Sequence, residues 1–296
     1  MAIGRVTQSM MMRQSLAAIE MNSSRSASLQ EQMSTGRRLS RPSDSPTDAI
    51  LAMRVRAEAA ANKQYAANAS DGAGWLGQLD ITLGSMTDQV RRARELALQG
   101  ANDGAMSPAA REALAIEVEQ IREGLITQAN TSYLGRPIFG GVTAGSTAYD
   151  ETGAYVGTPA AVNRTIGNGV QVRVDSEGPA VFGPDGASLF DDLAALASAL
   201  RADDGTGIRS GVTALAGRLD ALVDARTDVG IRQKRIEDVL AATVDTELTL
   251  TARLSDLEDV DLIKVAIEVK LADVAYQAAL ASSARVLSTS LMDYLR

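Results

Sequence analysis

The sequence predicts a mainly α fold with a small β-rich middle, an α+β chain whose helices occupy both ends. Three observations carry that expectation. Apolar residues recur at spacings of three and four through roughly the first hundred and the last ninety residues. The stretch from Asn130 to Gly186 is instead rich in Gly, Thr and Pro and contains one alternating apolar run. Aromatic residues make up only 3% of a chain that is 45% hydrophobic. Leu, Val, Ile, Met and Ala must therefore supply the packing, as they do in helical bundles.

The first helix is expected from about Arg5 to Thr35. A heptad frame through Met12, Leu16, Ile19, Ser23, Ser26, Gln30 and Met33 is half apolar and half polar, so this helix is marginal alone. Gly36 is placed to stop it. Arg37-Arg38-Leu39-Ser40-Arg41-Pro42-Ser43-Asp44-Ser45-Pro46 follows as a non-helical connector. Ser45-Pro46-Thr47-Asp48 combines an N-cap, a first-turn proline and an acid three positions on, and so starts a second helix.

That helix is expected from Pro46 to about Gln99, with Trp75, Leu79, Leu83, Met86, Val90 and Ala97 on one face. At about 1.5 Å per residue it would be roughly 80 Å long. Gly100-Ala-Asn-Asp-Gly104 breaks it, and Ser107-Pro108 opens a third helix with a stripe of Leu114, Val118, Ile121 and Leu125. The two read as a helical hairpin. In the middle, Val170, Val172 and Val174 alternate with polar residues, Gly167-Asn168-Gly169 supplies a tight turn, and Val162, Arg164 and Ile166 form the partner strand. Pro184-Asp185-Gly186 is a turn. Ser188 caps a short helix through Leu189, Leu193, Leu196 and Leu200, which Asp203-Asp204-Gly205 ends.

The next helix carries the strongest heptad in the chain. It runs through Val212, Leu215, Leu219, Leu222, Val229, Ile236, Leu240, Leu250, Leu254 and Leu257, with Arg226, Gln233, Thr243 and Glu247 interrupting it. The last segment, Asp259 to Arg296, has two apolar stripes: Leu262, Val265, Val269, Ala272 and Tyr276, and Ile263, Ile267, Leu271 and Val274. Only a narrow polar edge remains, through Lys264, Glu268, Asp273 and Gln277. A helix apolar over most of its circumference has to be enclosed. Both ends are thus built to be buried against other chains, which points to a subunit of an assembly.

Composition narrows the function classes. At 296 residues the chain can hold two or three domains. Lys plus Arg number 29 against 37 Asp plus Glu, a net charge of −8 that argues against nucleic acid as a partner. There is no Cys and no His, which removes disulfides, thiol nucleophiles, thiolate or imidazole metal sites and His-based acid–base chemistry. No apolar run approaches the length of about 18 residues that inserts into a membrane. The first ten residues lack the pattern of a cleaved secretory signal, and by that test alone the chain reads as cytosolic.

Few motifs could carry chemistry. Gly72-Ala-Gly74-Trp-Leu-Gly77 fits the dinucleotide-loop pattern, but it sits inside a helix with no strand before it; a run of small residues permitting close packing is the better reading. Asp256, Glu258, Asp259 and Asp261 lack the spacing and glycine of a Ca²⁺ loop and read as a solvated linker with a helix-start acid. Arg37, Arg38 and Arg41 are expected to pair with carboxylates rather than bind an anion. Asn130-Thr131-Ser132 and Asn163-Arg164-Thr165 match the glycosylation triplet by chance. Met10, Met11 and Met12 mark either an adaptable binding surface or packing at a frayed end. An enzyme site in the β region would have to use Asp150, Glu151, Asp175, Glu177 and Asp185, which are scattered. No catalytic, cofactor or metal residue is expected.

Three stretches carry a resemblance. Glu31-Gln32-Met33-Ser34-Thr35-Gly36-Arg37-Arg38-Leu39-Ser40 with Arg41-Pro42-Ser43-Asp44-Ser45-Pro46, then Ala129-Asn130-Thr131 with Gly135-Arg136-Pro137-Ile138-Phe139-Gly140-Gly141, resemble the bacterial flagellar hook–filament junction proteins of the flagellin superfamily, and Ser288 to Arg296 is similar to flagellin-type C-termini. The proline spacing favours the filament-side junction proteins, the third hook-associated proteins, over conventional flagellin, which is the alternative. The resemblance implies long antiparallel helices, with the N- and C-terminal helices paired as a coiled coil. It implies residues 1–36 and 259–296 as a terminal coiled-coil domain, 37–135 and 188–258 as a helical rod with connectors, and 136–187 as a small β-rich outer region. The implied partners are other copies of the chain, the neighbouring hook-associated junction protein, flagellin, and an export chaperone and export apparatus. The chaperone would hold the final segment, around Val260 to Arg296. The implied location is the extracellular flagellum, reached through the flagellar channel without a cleaved signal. Leu16, Ile19, Met33, Val265, Val269, Leu271, Tyr276, Leu291 and Leu295 are the expected assembly contacts. Gly36, Arg37, Arg38, Pro42, Ser43, Asp44 and Pro46 are the expected connector, setting the angle between inner and outer domains.

Overall fold

The computed structural model describes residues 8–102 and 106–294; the side chains of residues 8, 9, 11, 12 and 285–294 are outside that description. Gly104, Leu295 and Arg296 therefore lie outside the described residues, as do the side chains of Met11, Met12 and Leu291. The element order is α1 (Gln8–Thr35), α2 (Pro46–Ala101), α3 (Pro108–Ala129), β1 (Ser132–Tyr133), β2 (Arg136–Pro137), β3 (Asn163–Gly167), β4 (Val170–Arg173), α4 (Gly178–Phe182), α5 (Leu189–Ala202), α6 (Gly205–Glu258) and α7 (Leu262–Tyr294). Helix dominates and the strands are confined to the middle, as the periodicity predicts. The chain divides into two compact units. The terminal unit is Met1–Ala60 with Glu247–Arg296, and the central unit is Ala61–Thr246.

The central unit is built on the expected stripes. Trp75, Leu79, Leu83, Met86, Val90 and Ala97 of α2 are all buried, as are Leu114, Val118 and Leu125 of α3. On α6 every seventh residue from Leu215 through Leu222, Val229 and Ile236 is fully enclosed. Arg226 interrupts that heptad and turns outward, pairing with Asp80 of α2 at 2.7 Å. Helix α3 packs against α5. Ser107 caps α3, accepting from the Ala110 amide, and Ser188 and Asp191 form a reciprocal capping box on α5. Asp203 ends α5 in a left-handed conformation, φ 56°.

The β region is two antiparallel hairpins. In one, β3 pairs with β4 in the register Arg164↔Val172, around the expected Asn168-Gly169 turn. In the other, β1 and β2 flank Leu134-Gly135. Helix α4 lies within the stretch expected to be β-rich, where no helix was expected. It is five residues long, too short for a periodic signature, and it starts where Pro179 fits the first turn. Its Phe182 joins Phe139, Tyr149 and Phe190 in an edge-to-face cluster with centroids 4.9 to 5.7 Å apart. Asn130 ties the end of α3 to this cluster, accepting from the amides of Ala148 and Tyr149 and donating to the Tyr149 carbonyl. This use of Asn130 is structural.

The glycine run inside α2 is a packing device, but only in part. A Cβ on Gly72 would lie 3.0 Å from Ile236 and 3.1 Å from Val174, and one on Gly74 would collide with the Tyr133 hydroxyl. Gly77 faces open space, so nothing in its surroundings requires glycine.

Candidate assembly interface

Helices α1 and α7 form the terminal pair. They run antiparallel: Ser26 Oγ donates to Asp273 Oδ1 at 3.1 Å, and Arg37 bridges to Asp259 beyond the helix ends. The face of α7 against α1 is Val265 and Ala272, both buried, with Val269, Tyr276 and Ala279 half-buried between and after them. These positions alternate spacings of four and three, the pattern of a coiled-coil seam. The face of α1 against α7 is Ile19, Asn22, Ser26 and Leu29, of which only Leu29 is buried. The seam is therefore thin on the α1 side.

The second stripe of α7 has no cover among the described residues of the unit: Ile263, Ile267, Leu271 and Val274 are 77%, 58%, 63% and 63% exposed, and Leu262, expected on the first stripe, is 54% exposed and joins them. With Ala266 and the stem of Lys270 they form one continuous apolar surface. Patches of this kind on soluble chains mark sites of association.

The connector is fixed by hydrogen bonds to the C-terminal chain. Gly36 ends α1 at φ 68°, a region where side chains are disfavoured. The Val260 amide donates to the Gly36 carbonyl at 3.0 Å, and the Arg38 amide donates to the Glu258 carbonyl at 2.6 Å. Arg38 Nη2 donates to Asp48 Oδ2 at 3.1 Å and to the Leu257 carbonyl at 3.0 Å. Asp44 accepts from the amides of Ser40 and Arg41, which curls the segment around exposed Pro42 and Ser43 and delivers Pro46 to the start of α2. Arg41 lies 3.7 Å from Glu31. Arg38 and Arg41 thus serve carboxylates and a carbonyl of their own chain. Arg37 contributes its backbone to the bridge with Asp259.

The acids at the α6–α7 junction are also structural. Glu258 is buried beside Arg56 at 2.8 Å, an ion pair at contact distance whose N–H is not aimed at the oxygen. Asp259 accepts from Ser255 Oγ at 2.6 Å. Asp261 accepts from the amides of Ile263 and Lys264 and so caps α7. In the β region Asp150 organises its own turn, its carboxyl held below the usual range by the Thr152 hydroxyl and the Ala154 amide. Asp175 is fully buried in a bidentate pair with Arg173, and Asp185 accepts from the Tyr155 amide. These carboxylates support loops, and among the described residues no cluster of them could hold a metal ion.

Comparison with known proteins gives this surface its context. Residues 6–144 match the model of the bacterial flagellin N-terminal helical region. The chain is 26% identical over 282 residues to flagellar hook-associated protein 3 of Escherichia coli, covering 87% of this chain and 89% of that protein. It is 31% identical over 191 residues to flagellar hook-associated protein 3 of Salmonella typhimurium, covering 64% of this chain and 57% of that protein. The aligned stretch thus spans little more than half of the Salmonella relative. The first half of the chain thus carries a flagellin-type N-terminal helical region, and the chain is similar to flagellar hook-associated proteins. The crystal structure of Bacillus cereus FlgL superposes with a TM-score of 0.61 at 23% identity, covering 68% of this chain and 99% of that one, and so shares its fold.

The structure places the expected contact residues in different settings. Val265, Val269, Tyr276 and Ile19 come together in the α1–α7 seam. Leu16 and Met33 are 58% and 50% exposed, and Leu271 lies on the outer stripe. Of the expected frame through Met12, Leu16, Ile19, Ser23, Ser26, Gln30 and Met33, Ile19 and Ser26 lie on the face that meets α7, whereas Leu16, Ser23, Gln30 and Met33 are exposed and the Met12 side chain lies outside the described residues. Leu29 also meets α7 and was outside that frame. The available signal was that Leu29 is the one leucine between Leu16 and Leu39.

Proposed function

We propose that this chain is a structural subunit of the bacterial flagellum, standing between hook and filament on the filament side. The observation that carries this reading is the uncovered stripe of α7, lying beside a seam to α1 that is itself thin. Enclosing one aliphatic side chain contributes about 2 kcal/mol. The outer stripe gains that only when neighbouring chains cover it. In this reading Leu16, Met33 and Leu271 contact neighbours, and Ile19, Val265, Val269 and Tyr276 hold the pair together. Leu291 and Leu295 extend the contacts. Residues 1–36 and 259–296 are the assembling domain, 37–135 and 188–258 the helical rod, and 136–187 the outer region. Gly36 to Pro46 joins the first to the second.

The partners are further copies of this chain, the neighbouring hook-associated protein on one side and flagellin on the other. Before assembly an export chaperone covers the segment around Val260 to Arg296, and the flagellar export apparatus carries the chain out. The role is structural and not catalytic. The relatives named flagellar hook-associated protein 3, at 31% and 26% identity, support the junction reading over conventional flagellin.

Deletion of the gene tests the proposal. The expected phenotype is intact hooks with unassembled flagellin released to the medium. Normal filaments in the deletion strain would exclude the junction role. Electron microscopy of the concentrated purified chain separates the alternative, because a filament subunit extends long filaments from its own seeds and a junction subunit does not.

A further inference from the structure

We propose that Met10, Met21, Met33 and Met53 are an oxidation-sensitive set on the assembly surface, and that their conversion to sulfoxides by hydrogen peroxide blocks incorporation until the sulfoxides are reduced. The inference rests on the assembly reading above and adds a regulation to it.

The chain contains no cysteine, so thioether sulfur is the only sulfur that an oxidant can reach. The methionines whose side chains are described divide by unit. In the terminal unit Met10, Met21, Met33 and Met53 are 51%, 70%, 50% and 57% exposed. In the central unit Met86 is fully enclosed in the core and Met106 is half-buried. The exposed set lies in the unit that also carries the uncovered stripe of α7. Met53 stands next to two further outward-facing apolar residues, Ile50 and Leu51.

The chemistry is a two-electron oxygen transfer. The thioether attacks one oxygen of hydrogen peroxide, the O–O bond breaks, an S–O bond forms, and water leaves. The reverse step takes two electrons from a dithiol, which becomes a disulfide as the oxygen leaves as water. A sulfoxide turns a pliable apolar side chain into a strong hydrogen-bond acceptor. In the free chain these four side chains are half or more exposed, so their sulfoxides can be hydrated without disturbing the fold. Against a neighbouring chain the same oxygen must be buried without a donor, which opposes docking. The modification therefore separates folding from assembly.

The test uses the full-length chain and hooks isolated from a strain lacking this gene. The chain is treated with hydrogen peroxide, mapped by peptide mass spectrometry, and its incorporation at the hook tips is measured. The expected result is a 16-dalton gain at these four methionines ahead of Met86, with an unchanged helical spectrum. At least a tenfold loss of incorporation should follow, reversed by methionine sulfoxide reductase with a dithiol. A Met10, Met21, Met33 and Met53→Leu variant should incorporate equally before and after peroxide. Equal incorporation of oxidised and untreated chain, failure of the reductase to restore it, or an equal peroxide loss in the leucine variant would each overturn the proposal. Ile267→Asp distinguishes the two readings, because it strikes the α7 stripe without touching sulfur. If Ile267→Asp incorporates normally, the assembly reading itself fails. If Ile267→Asp is blocked while the oxidised chain incorporates, only the redox inference fails.

Discussion

Leu222 and Leu271 are the same residue type, and each sits in the apolar stripe of a long helix. Leu222 in the central unit is completely enclosed, whereas Leu271 in the terminal unit is 63% exposed. The contrast holds across the described residues of each unit. The terminal unit buries Leu29, Ala52, Leu250, Val265 and Ala272 and turns Met21, Ile263, Ile267, Leu271 and Val274 outward. The central unit closes α2, α3, α5 and α6 over a single core that extends into the aromatic cluster of the β region. Apolar patterning alone does not make a core. A stripe becomes one only where other elements of the chain are supplied to cover it, and the terminal unit supplies one partner helix for two stripes.

Substitutions can break or sharpen this comparison. The largest effect on the free chain is expected at Leu222→Ala, which leaves a cavity in a sealed core and should cost about 3 kcal/mol. Chemical denaturation followed by circular dichroism measures it. A loss no larger than that of Leu271→Ala would remove the distinction between the units. Gly141→Ala comes next. This glycine sits at φ 60°, and a Cβ there would lie 2.9 Å from the backbone of Ala160 and closer still to the Thr158 carbonyl. Destabilisation of about 2 kcal/mol is expected, and the same denaturation experiment reads it.

Arg201→Ala should have a smaller effect that depends on pH. Arg201 holds Glu119 and Glu112 of α3 from α5, at 2.6 and 3.1 Å. Its hydrogen bond keeps the Glu119 carboxyl below the ordinary glutamate range. A carboxyl whose folded value is lowered contributes stability above its unfolded value and loses it as pH falls through the folded value. The gap in melting temperature between wild type and variant should therefore be present at pH 7 and close below about pH 4. A gap that widens on acidification would contradict the assigned charge pair. The smallest effect on the free chain is expected at Ile267→Asp, within about 0.5 kcal/mol because the site is already in solvent. If thermal melting shows a core-sized loss there instead, the α7 stripe is covered within the free chain, and the contrast with Leu222 collapses.

Much of the architecture was legible from local chemistry. Ser45-Pro46, Ser107-Pro108 and Ser188 announce helix starts because a hydroxyl satisfies the free amides of the first turn. Gly36 and Asp203 mark helix ends because the backbone there turns left-handed. The alternating valines and Asn168-Gly169 specify a hairpin through the period of a strand and the demands of a two-residue turn. Less was legible where several partners compete. Helix α1 has so weak a stripe that two adjacent faces fit it about equally, and the choice of Leu29 over Leu16 and Met33 was made by the surface of α7. Helix α4 leaves no periodic trace in five residues. Arg38 could have met any of several carboxylates; its match with Asp48 and the Leu257 carbonyl depends on where the α6–α7 junction passes.

The sequence by itself determined the helices other than α4, their caps, the β3–β4 hairpin and the fact that α7 is apolar on two sides, because these follow from spacing and from the conformational needs of single residues. Only the tertiary structure decided which side of α7 its own chain covers and which it leaves bare. That choice depends on the shape and supply of partner surfaces distant in sequence, and a periodic pattern records the need for a partner without recording which partner meets it.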